Sequence, residues 1–577
     1  MPNQKNYLLQ FDFSHDGINM QAIFKDPLHI ITTTRPEKVF SCIEKIDQAV
    51  RDGYYVAGYF AYEAASSIYP NTNFQHNDNY PLLWFGVFKE KYDGKPINSH
   101  SFHVSSWKPN LSQQEYHETF NYILEQINKG DTNQVNYTIQ MSAKFSGDAY
   151  SYYKRLKSAQ EANYSAYLSL GEYSILSPSP ELFFHLKERK ITTKPMKGTA
   201  SRGNTYEEDR VQARWLHNSI KNREENMLSV KLMEKELSKL AKPHSIKIPK
   251  KFEIEQYPTL FQMTSTVTAT LKDNIDTKKL FKTLFPASSI TGAPKEKTIR
   301  IINETEKAPR NVYCGAIGYF TPHKEAIFNV PIRTVFIDHT TNKATYGVGG
   351  AIVKDSTKEE EYEEIITKAK ILEKQPKQFQ LLETIGLIDG EYIVLDNHLK
   401  RLKQSASYFN FIFHEEEVRK ILEEILTENQ RGSFIVRVLL EKNGEITTDL
   451  RRLEKTTNNQ VVTFASKPIQ KDNPFLYHKT TERTVYDRHT KDDVFDVILW
   501  NEQREVTEFT KGNLVIKQSD KLFTPPVSSG LLPGTFRKHL LDKQIIKEKT
   551  LTKKDIQTAE DIYFINSVRK WIKVHLK

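Results

Sequence analysis

Two cysteines in 577 residues, Cys42 and Cys314, are too few for a disulfide framework or a cysteine-rich zinc site. Long apolar runs are also missing. The best one, Tyr54 to Tyr69, is interrupted by Glu63 and falls short of a bilayer span. The first residues, Met1-Pro2-Asn3-Gln4-Lys5-Asn6, are polar and carry no apolar core of an export signal. These absences predict a cytoplasmic protein with no membrane partner. The formal net charge is +10, but Lys and Arg are scattered among Glu and Asp rather than gathered in a stripe, and no nucleic-acid motif is present. No nucleic-acid partner is expected. What the chain does have is length, since 577 residues exceed one hydrophobic core and call for two or more domains.

The clearest seam is Glu373-Lys374-Gln375-Pro376-Lys377-Gln378, a polar stretch with proline that follows a helical pattern over Glu359 to Leu372, with Ser356 or Thr357 as cap. We place domains at 1–375 and 376–577. Before the seam, Tyr54 to Tyr62, Ala166 to Leu170, Glu181 to Leu186, Ala316 to Phe320 and Ala326 to Ile337 read as strands. Glu115 to Lys129, Tyr206 to Ile220 and Arg223 to Leu240 read as helices. After it, Phe379 to Leu387, Phe434 to Leu440, Val461 to Ala465 and Ile562 to Ile565 read as strands, with a helix over Glu415 to Glu428. The class is α+β.

Several uncommon strings fall in order before the seam: Gln134-Val135-Asn136-Tyr137-Thr138, Ser179-Pro180-Glu181-Leu182-Phe183, Pro195-Met196-Lys197-Gly198-Thr199, Phe285 to Lys295, Tyr313-Cys314-Gly315-Ala316, Pro331-Ile332-Arg333-Thr334 and Gly347-Val348-Gly349-Gly350. Together they resemble the chorismate-binding enzyme family, which includes anthranilate, isochorismate and aminodeoxychorismate synthases. The resemblance implies two large packed β-sheets flanked by helices. Chorismate carries two carboxylates, so its site needs fixed positive charge and oriented N–H groups, and Arg333 suits a paired grip on one of them. The resemblance assigns substrate binding to Arg333, Thr291, Gly292, Tyr313, Gly347, Gly349 and Gly350.

Glu361 and Glu364 lie three apart on a predicted helix and share a face, and Glu225 lies on another helix. Oxygen ligands of this kind suit Mg²⁺, and by resemblance the three occupy the family's magnesium positions. Lys197 separates activities. The Pro-x-Lys-Gly-Thr form resembles the aminodeoxychorismate synthases, whereas anthranilate synthases generally carry alanine there. The implied route is attack by Lys197 at C2, magnesium-assisted loss of the 4-hydroxyl, addition of ammonia at C4 and expulsion of the lysine, with Glu181 as general acid and base. Two departures stand out. The family's Asp-Leu-x-Arg-Asn-Asp stretch reads Lys231-Leu232-Met233-Glu234-Lys235-Glu236 here, which puts local geometry in doubt, and Gln262 replaces a common histidine. Neither cysteine has the setting of a glutaminase nucleophile, so ammonia is expected free or from a separate glutamine amidotransferase subunit.

After residue 378 come His398-Leu399-Lys400-Arg401-Leu402, Tyr477-His478-Lys479-Thr480-Thr481, Thr507-Glu508, Asn513-Leu514, Gly530 to Thr535 and Asn566-Ser567-Val568-Arg569. This order resembles the class IV pyridoxal-phosphate enzymes, especially aminodeoxychorismate lyase, and implies a two-lobed α/β domain that is often dimeric. A homodimer through the C-terminal domain follows. By resemblance Lys479 bears pyridoxal 5′-phosphate and moves protons, Glu508 faces the ring nitrogen, and Arg401, Thr535 and Ser567 hold the phosphate. Lys570 stands where relatives usually have glycine. The two halves together imply amination of chorismate to 4-amino-4-deoxychorismate, then elimination of pyruvate to 4-aminobenzoate, a folate precursor. The alternative is an anthranilate- or isochorismate-type synthase fused to an amino-acid transaminase or to an inactive class IV module.

Overall fold

The computed structural model describes residues 7–75, 79–94, 100–454 and 460–577; the polar start at residues 1–6 lies outside them. The chain divides into two compact units, one made of residues 1–201 and 213–376, the other of 202–212 and 377–577.

The first unit is built on two ten-stranded sheets. One runs through Leu8–His15, Tyr164–Ser169, Tyr173–Ser179, Val335–Asp338, Lys343–Ile352 and Val135–Gly147; the other through Met196–Ser201, Leu260–Thr270, Lys190–Thr193, Leu182–Lys187, Ala326–Asn329, Ala316–Phe320 and Tyr55–Phe60. Alternate side chains sort into different cores. In Tyr55–Phe60, Ala57 and Tyr59 pack with Phe11, Phe13 and Leu168 between the sheets, whereas Val56 and Phe60 pack with helix residues Ile43 and Ile46 on the outer face. Both faces are therefore covered, which is why such strands read as unbroken apolar runs. Helices Gln113–Asn128, Ala149–Gln160 and Lys358–Ala369 cover the outer face of the first sheet. Thr357 caps the last of these by accepting from the Glu360 N–H. This is the expected pair of packed sheets flanked by helices.

One element needs correction. Ala326 to Ile337 is not a single strand but Ala326–Asn329 in one sheet and Val335–Asp338 in the other. The chain changes sheets between them, and Arg333 turns there with φ +59°. Pro331, which cannot donate to a ladder, marks the break in the sequence, although the β-branched composition continues through it.

The second unit has a four-stranded sheet with Leu381–Ile388 and Ser433–Leu440 at its centre, packed on helices Leu395–Phe409 and Glu415–Glu428. A nine-stranded mixed sheet includes Gln460–Phe464, Asp496–Trp500, Glu505–Phe509, Asn513–Gln518 and Asp561–Asn566. No helix of the described residues is long and apolar enough to cross a membrane.

Candidate active sites

Lys197 sits where the pairing of Met196–Ser201 with Leu260–Thr270 shifts register between Met196 and Thr199. A bulge of this kind re-aims a side chain. Burial lowers the pKa of the Lys197 amine, against the opposing pull of Glu225, Glu364 and Glu361. The structure thus brings Lys197 within electrostatic reach of all three expected metal carboxylates. Glu181 is buried and accepts a hydrogen bond from Ser289 Oγ at 2.5 Å. Burial pushes its carboxyl up to about 7, although the Ser289 hydrogen bond and Lys197 both oppose this. Glu181, Ser289 and Gly292 line a cavity of about 50 Å³.

The expected magnesium ligands are not gathered as a ligand set. Among the described residues, no three His, Cys, Asp or Glu side chains converge to hold a metal ion. Two of the three carboxylates have other partners. Glu364 pairs with Lys368 one turn along its own helix at 2.6 Å, and Glu361 Oε1 accepts from Ser356 Oγ at 2.7 Å. Glu361 Oε2, however, is buried with no partner. An acceptor left so is costly, and a hard cation would satisfy it.

The other expected substrate residues divide. Arg333 donates through Nη1 to the Lys368 carbonyl at 2.9 Å, which anchors it beside the glutamate helix. Gly347 and Gly350 make room for groups of the site. A Cβ at Gly347 would lie 2.2 Å from the Tyr313 ring, and one at Gly350 2.6 Å from the Glu361 carboxylate. Gly349 gives its carbonyl to Lys368 Nζ at 2.7 Å. Thr291 is fully buried, and its Oγ1 donates to the Ala287 carbonyl at 3.0 Å. Its own carbonyl accepts from the Asn136 N–H at 2.8 Å, so it shapes the wall through the backbone.

In the second unit, burial lowers the Lys479 amine to about 8, with Arg401 adding to the effect. Glu508 is buried and pushed up to about 8. Its carboxylate takes Tyr486 Oη at 2.9 Å, Asn513 Nδ2 at 3.1 Å and the Leu532 N–H at 3.0 Å. Arg401 is held by Glu383 and also points Nη1 at the Pro533 carbonyl, 3.3 Å away. Thr535 opens helix Thr535–Asp542, and Ser567 Oγ donates to the Thr384 carbonyl at 3.2 Å. A depressed amine, a buried carboxyl, an arginine and a hydroxyl at a helix N-terminus are parts that pyridoxal phosphate requires, so these residues fit it. Lys570 has φ +58°, a region that glycine enters at no steric cost, which accounts for the glycine of its relatives.

Residues 94–374 match the family model of chorismate binding enzymes, and residues 380–576 match that of amino-transferase class IV. The chain carries these two domains in tandem. Aminodeoxychorismate synthase component 1 of Salmonella typhimurium is 39% identical over 265 residues, 46% of this chain and 58% of that protein. Its Escherichia coli counterpart is 37% identical over 272 residues, 47% of this chain and 60% of that protein. The chain thus spans less than two thirds of the length of these relatives. The crystal structure of anthranilate synthase component I from Streptococcus pneumoniae has the same fold over 65% of this chain and 93% of its own, with TM-score 0.51 and 20% identity.

Sequence motifs missed several residues of the chorismate-binding domain. Arg310 is buried against Glu306 and donates to the carbonyls of Ile290 and Asn136, both at 2.7 Å, fastening the segment before Thr291. Glu236, the last residue of the departing stretch, is another: its Oε1 takes Lys295 Nζ at 2.8 Å and Ser288 Oγ at 2.7 Å. Helix Ile220–Ser238, which carries Glu225, is thereby tied to the Phe285 to Lys295 loop that carries Ser289. Both charges are largely buried, so removing one leaves the other uncompensated. Glu236→Gln is expected to cost about 2 kcal/mol of stability, measured as an earlier onset of thermal unfolding.

Proposed function

We propose that the chain converts chorismate and ammonia to 4-amino-4-deoxychorismate in its first unit and releases pyruvate and 4-aminobenzoate from it in its second. One observation carries the reading: each unit pairs a lysine amine of lowered pKa with a buried carboxyl of raised pKa, Lys197 with Glu181 and Lys479 with Glu508. In the first unit such opposed shifts suit a nucleophile and an acid for chemistry near neutral pH.

In the first unit Lys197, its pKa lowered by burial, attacks C2 of chorismate while Glu181 gives its proton to the departing 4-hydroxyl, which leaves as water. Ammonia then adds at C4, Glu181 recovers a proton, and Lys197 leaves. Arg333 and the backbone around Gly347 to Gly350 orient the carboxylates. Glu361, through its unpartnered Oε2, would be a ligand of Mg²⁺, with Glu225 and Glu364 completing the set only on moving toward it; the ion would supply Lewis-acid neutralisation of substrate negative charge. Glu181 must begin protonated, so amination is expected to fall as pH rises through about 7. That limb of the kcat/KM profile should be absent in Glu181→Gln, alongside a lower rate throughout.

In the second unit Lys479 would carry pyridoxal phosphate, with Glu508 at the ring nitrogen and Arg401, Thr535 and Ser567 at the phosphate. The cofactor supplies an electron sink. Lys479 takes the proton from the amine-bearing ring carbon, and departure of pyruvate leaves an aromatic ring. The complementarity of the two steps favours the lyase over a transaminase, since the expected product of one is the substrate of the other.

Ammonia comes free or from a separate glutamine amidotransferase, because neither cysteine suits a glutaminase. Both are buried, and burial raises the Cys42 thiol and pushes Cys314 up to about 12. Two unpaired thiols suit a cytoplasmic setting. Incubation with chorismate, ammonium, magnesium and pyridoxal phosphate tests the reading. 4-Aminobenzoate is expected, anthranilate would overturn the role of Lys197, and aminodeoxychorismate alone would remove the lyase step.

A further inference from the structure

A chain of polar groups in the second unit is closed off from solvent. Glu383, on strand Leu381–Ile388, is 2% exposed, and His398, on helix Leu395–Phe409, is 1% exposed. Glu383 Oε1 takes Arg401 Nε at 2.8 Å, and Oε2 takes Arg401 Nη2 at 2.6 Å. The same Oε2 lies 2.6 Å from His398 Nδ1. His398 and Arg401 are three residues apart on one helix, so they present to one carboxylate from the same face. On the other side of the imidazole, Nε2 lies 3.1 Å from Thr535 Oγ1.

The donor–acceptor logic fixes most of this network. An ionised carboxylate only accepts, so Nδ1 of His398 must be the protonated nitrogen that faces it. Burial alone would raise the Glu383 carboxyl, but Arg401 and His398 hold it down at about 2, so it stays ionised through the working range. Arg401 spends one edge of its guanidinium on Glu383 and keeps Nη1, whose one hydrogen bond among the described residues is that to the Pro533 carbonyl at 3.3 Å. Arg401 therefore brings oriented N–H groups to its neighbourhood rather than an uncompensated charge.

We propose that Glu383 is the positioning residue of the phosphate cradle, setting the free edge of Arg401 directly and the hydroxyl of Thr535 through His398. This rests on the reading of the second unit as a pyridoxal-phosphate site. A carboxylate that merely neutralised a buried arginine would need neither the imidazole nor its second contact at Thr535. The arrangement resembles the way outer partners orient the groups that touch a bound ion.

The test compares two probes on the full chain, pyridoxal 5′-phosphate and pyridoxal, which has the same aldehyde but no phosphate. Each is titrated by visible absorbance against the unaltered protein, Glu383→Gln and His398→Asn. Glu383→Gln is expected to weaken pyridoxal phosphate about tenfold or more, with pyridoxal changed less than about twofold, and inorganic phosphate should compete correspondingly worse. His398→Asn leaves the Glu383–Arg401 pair in place, and should show the same selective loss at smaller size; it decides the matter if Glu383→Gln does not fold. Equal losses for both probes, or no loss for either, would overturn the proposal. An unaltered protein that takes up neither probe would overturn the cofactor reading itself, and this inference with it.

Discussion

Lys197→Ala is expected to lower the amination of chorismate at least about a thousandfold, roughly 4 kcal/mol of transition-state stabilisation. The size follows from the role. The amine stands at a bulge, where burial lowers its pKa against the pull of Glu225, Glu361 and Glu364. Alanine removes the nucleophile and leaves the carboxylates without that counter-charge. Chorismate binding should change much less, because Arg333 and the Gly347 to Gly350 strand are untouched, so the loss should appear in kcat more than in KM. Supplied 4-amino-4-deoxychorismate should still be converted to 4-aminobenzoate. A Lys197→Ala protein that aminates at more than a tenth of the normal rate would show that ammonia adds without help from the lysine.

Lys479→Ala should reduce 4-aminobenzoate formation by at least about a thousandfold as well, and should abolish the yellow absorbance of the bound cofactor. The amine near a pKa of about 8 is a competent proton carrier at neutral pH, where an ordinary lysine would be almost wholly charged. Arg401 and Glu383 contribute to that setting in opposite senses, and burial outweighs both. The chorismate half of the chain should be unaffected, so 4-amino-4-deoxychorismate should accumulate.

Much of this was legible from residues alone, for identifiable reasons. Helix Glu415–Glu428 was read to both ends because its apolar positions, among them Val418, Leu422 and Ile425, keep a helical period beside charged neighbours. Ala316–Phe320 was read because five apolar residues lie between turn-forming segments. The switch of sheets after Asn329 was not legible, since it depends on which strand each half meets. The same holds at the sites. Lys197, Glu181, Lys479 and Glu508 stand in short, distinctive strings. Their supports do not: Ser289 meets Glu181 across 108 residues and Glu236 meets Ser288 across 52. Glu383 was not legible either, since it lies 15 residues before His398 and outside any of the distinctive strings. Thr291 also stands in a distinctive string, but its contacts with Ala287 and Asn136 follow from the folded loop.

The most direct test of the account is the pyruvate released from chorismate and ammonium by the Lys479→Ala protein. A first unit that only exchanges the 4-hydroxyl for an amine leaves the enolpyruvyl group in place, so the account predicts consumption of chorismate with no pyruvate. Pyruvate released in step with chorismate loss would mean that the first unit aromatises its own product, as an anthranilate synthase does, and would contradict the division of labour between Lys197 and Lys479.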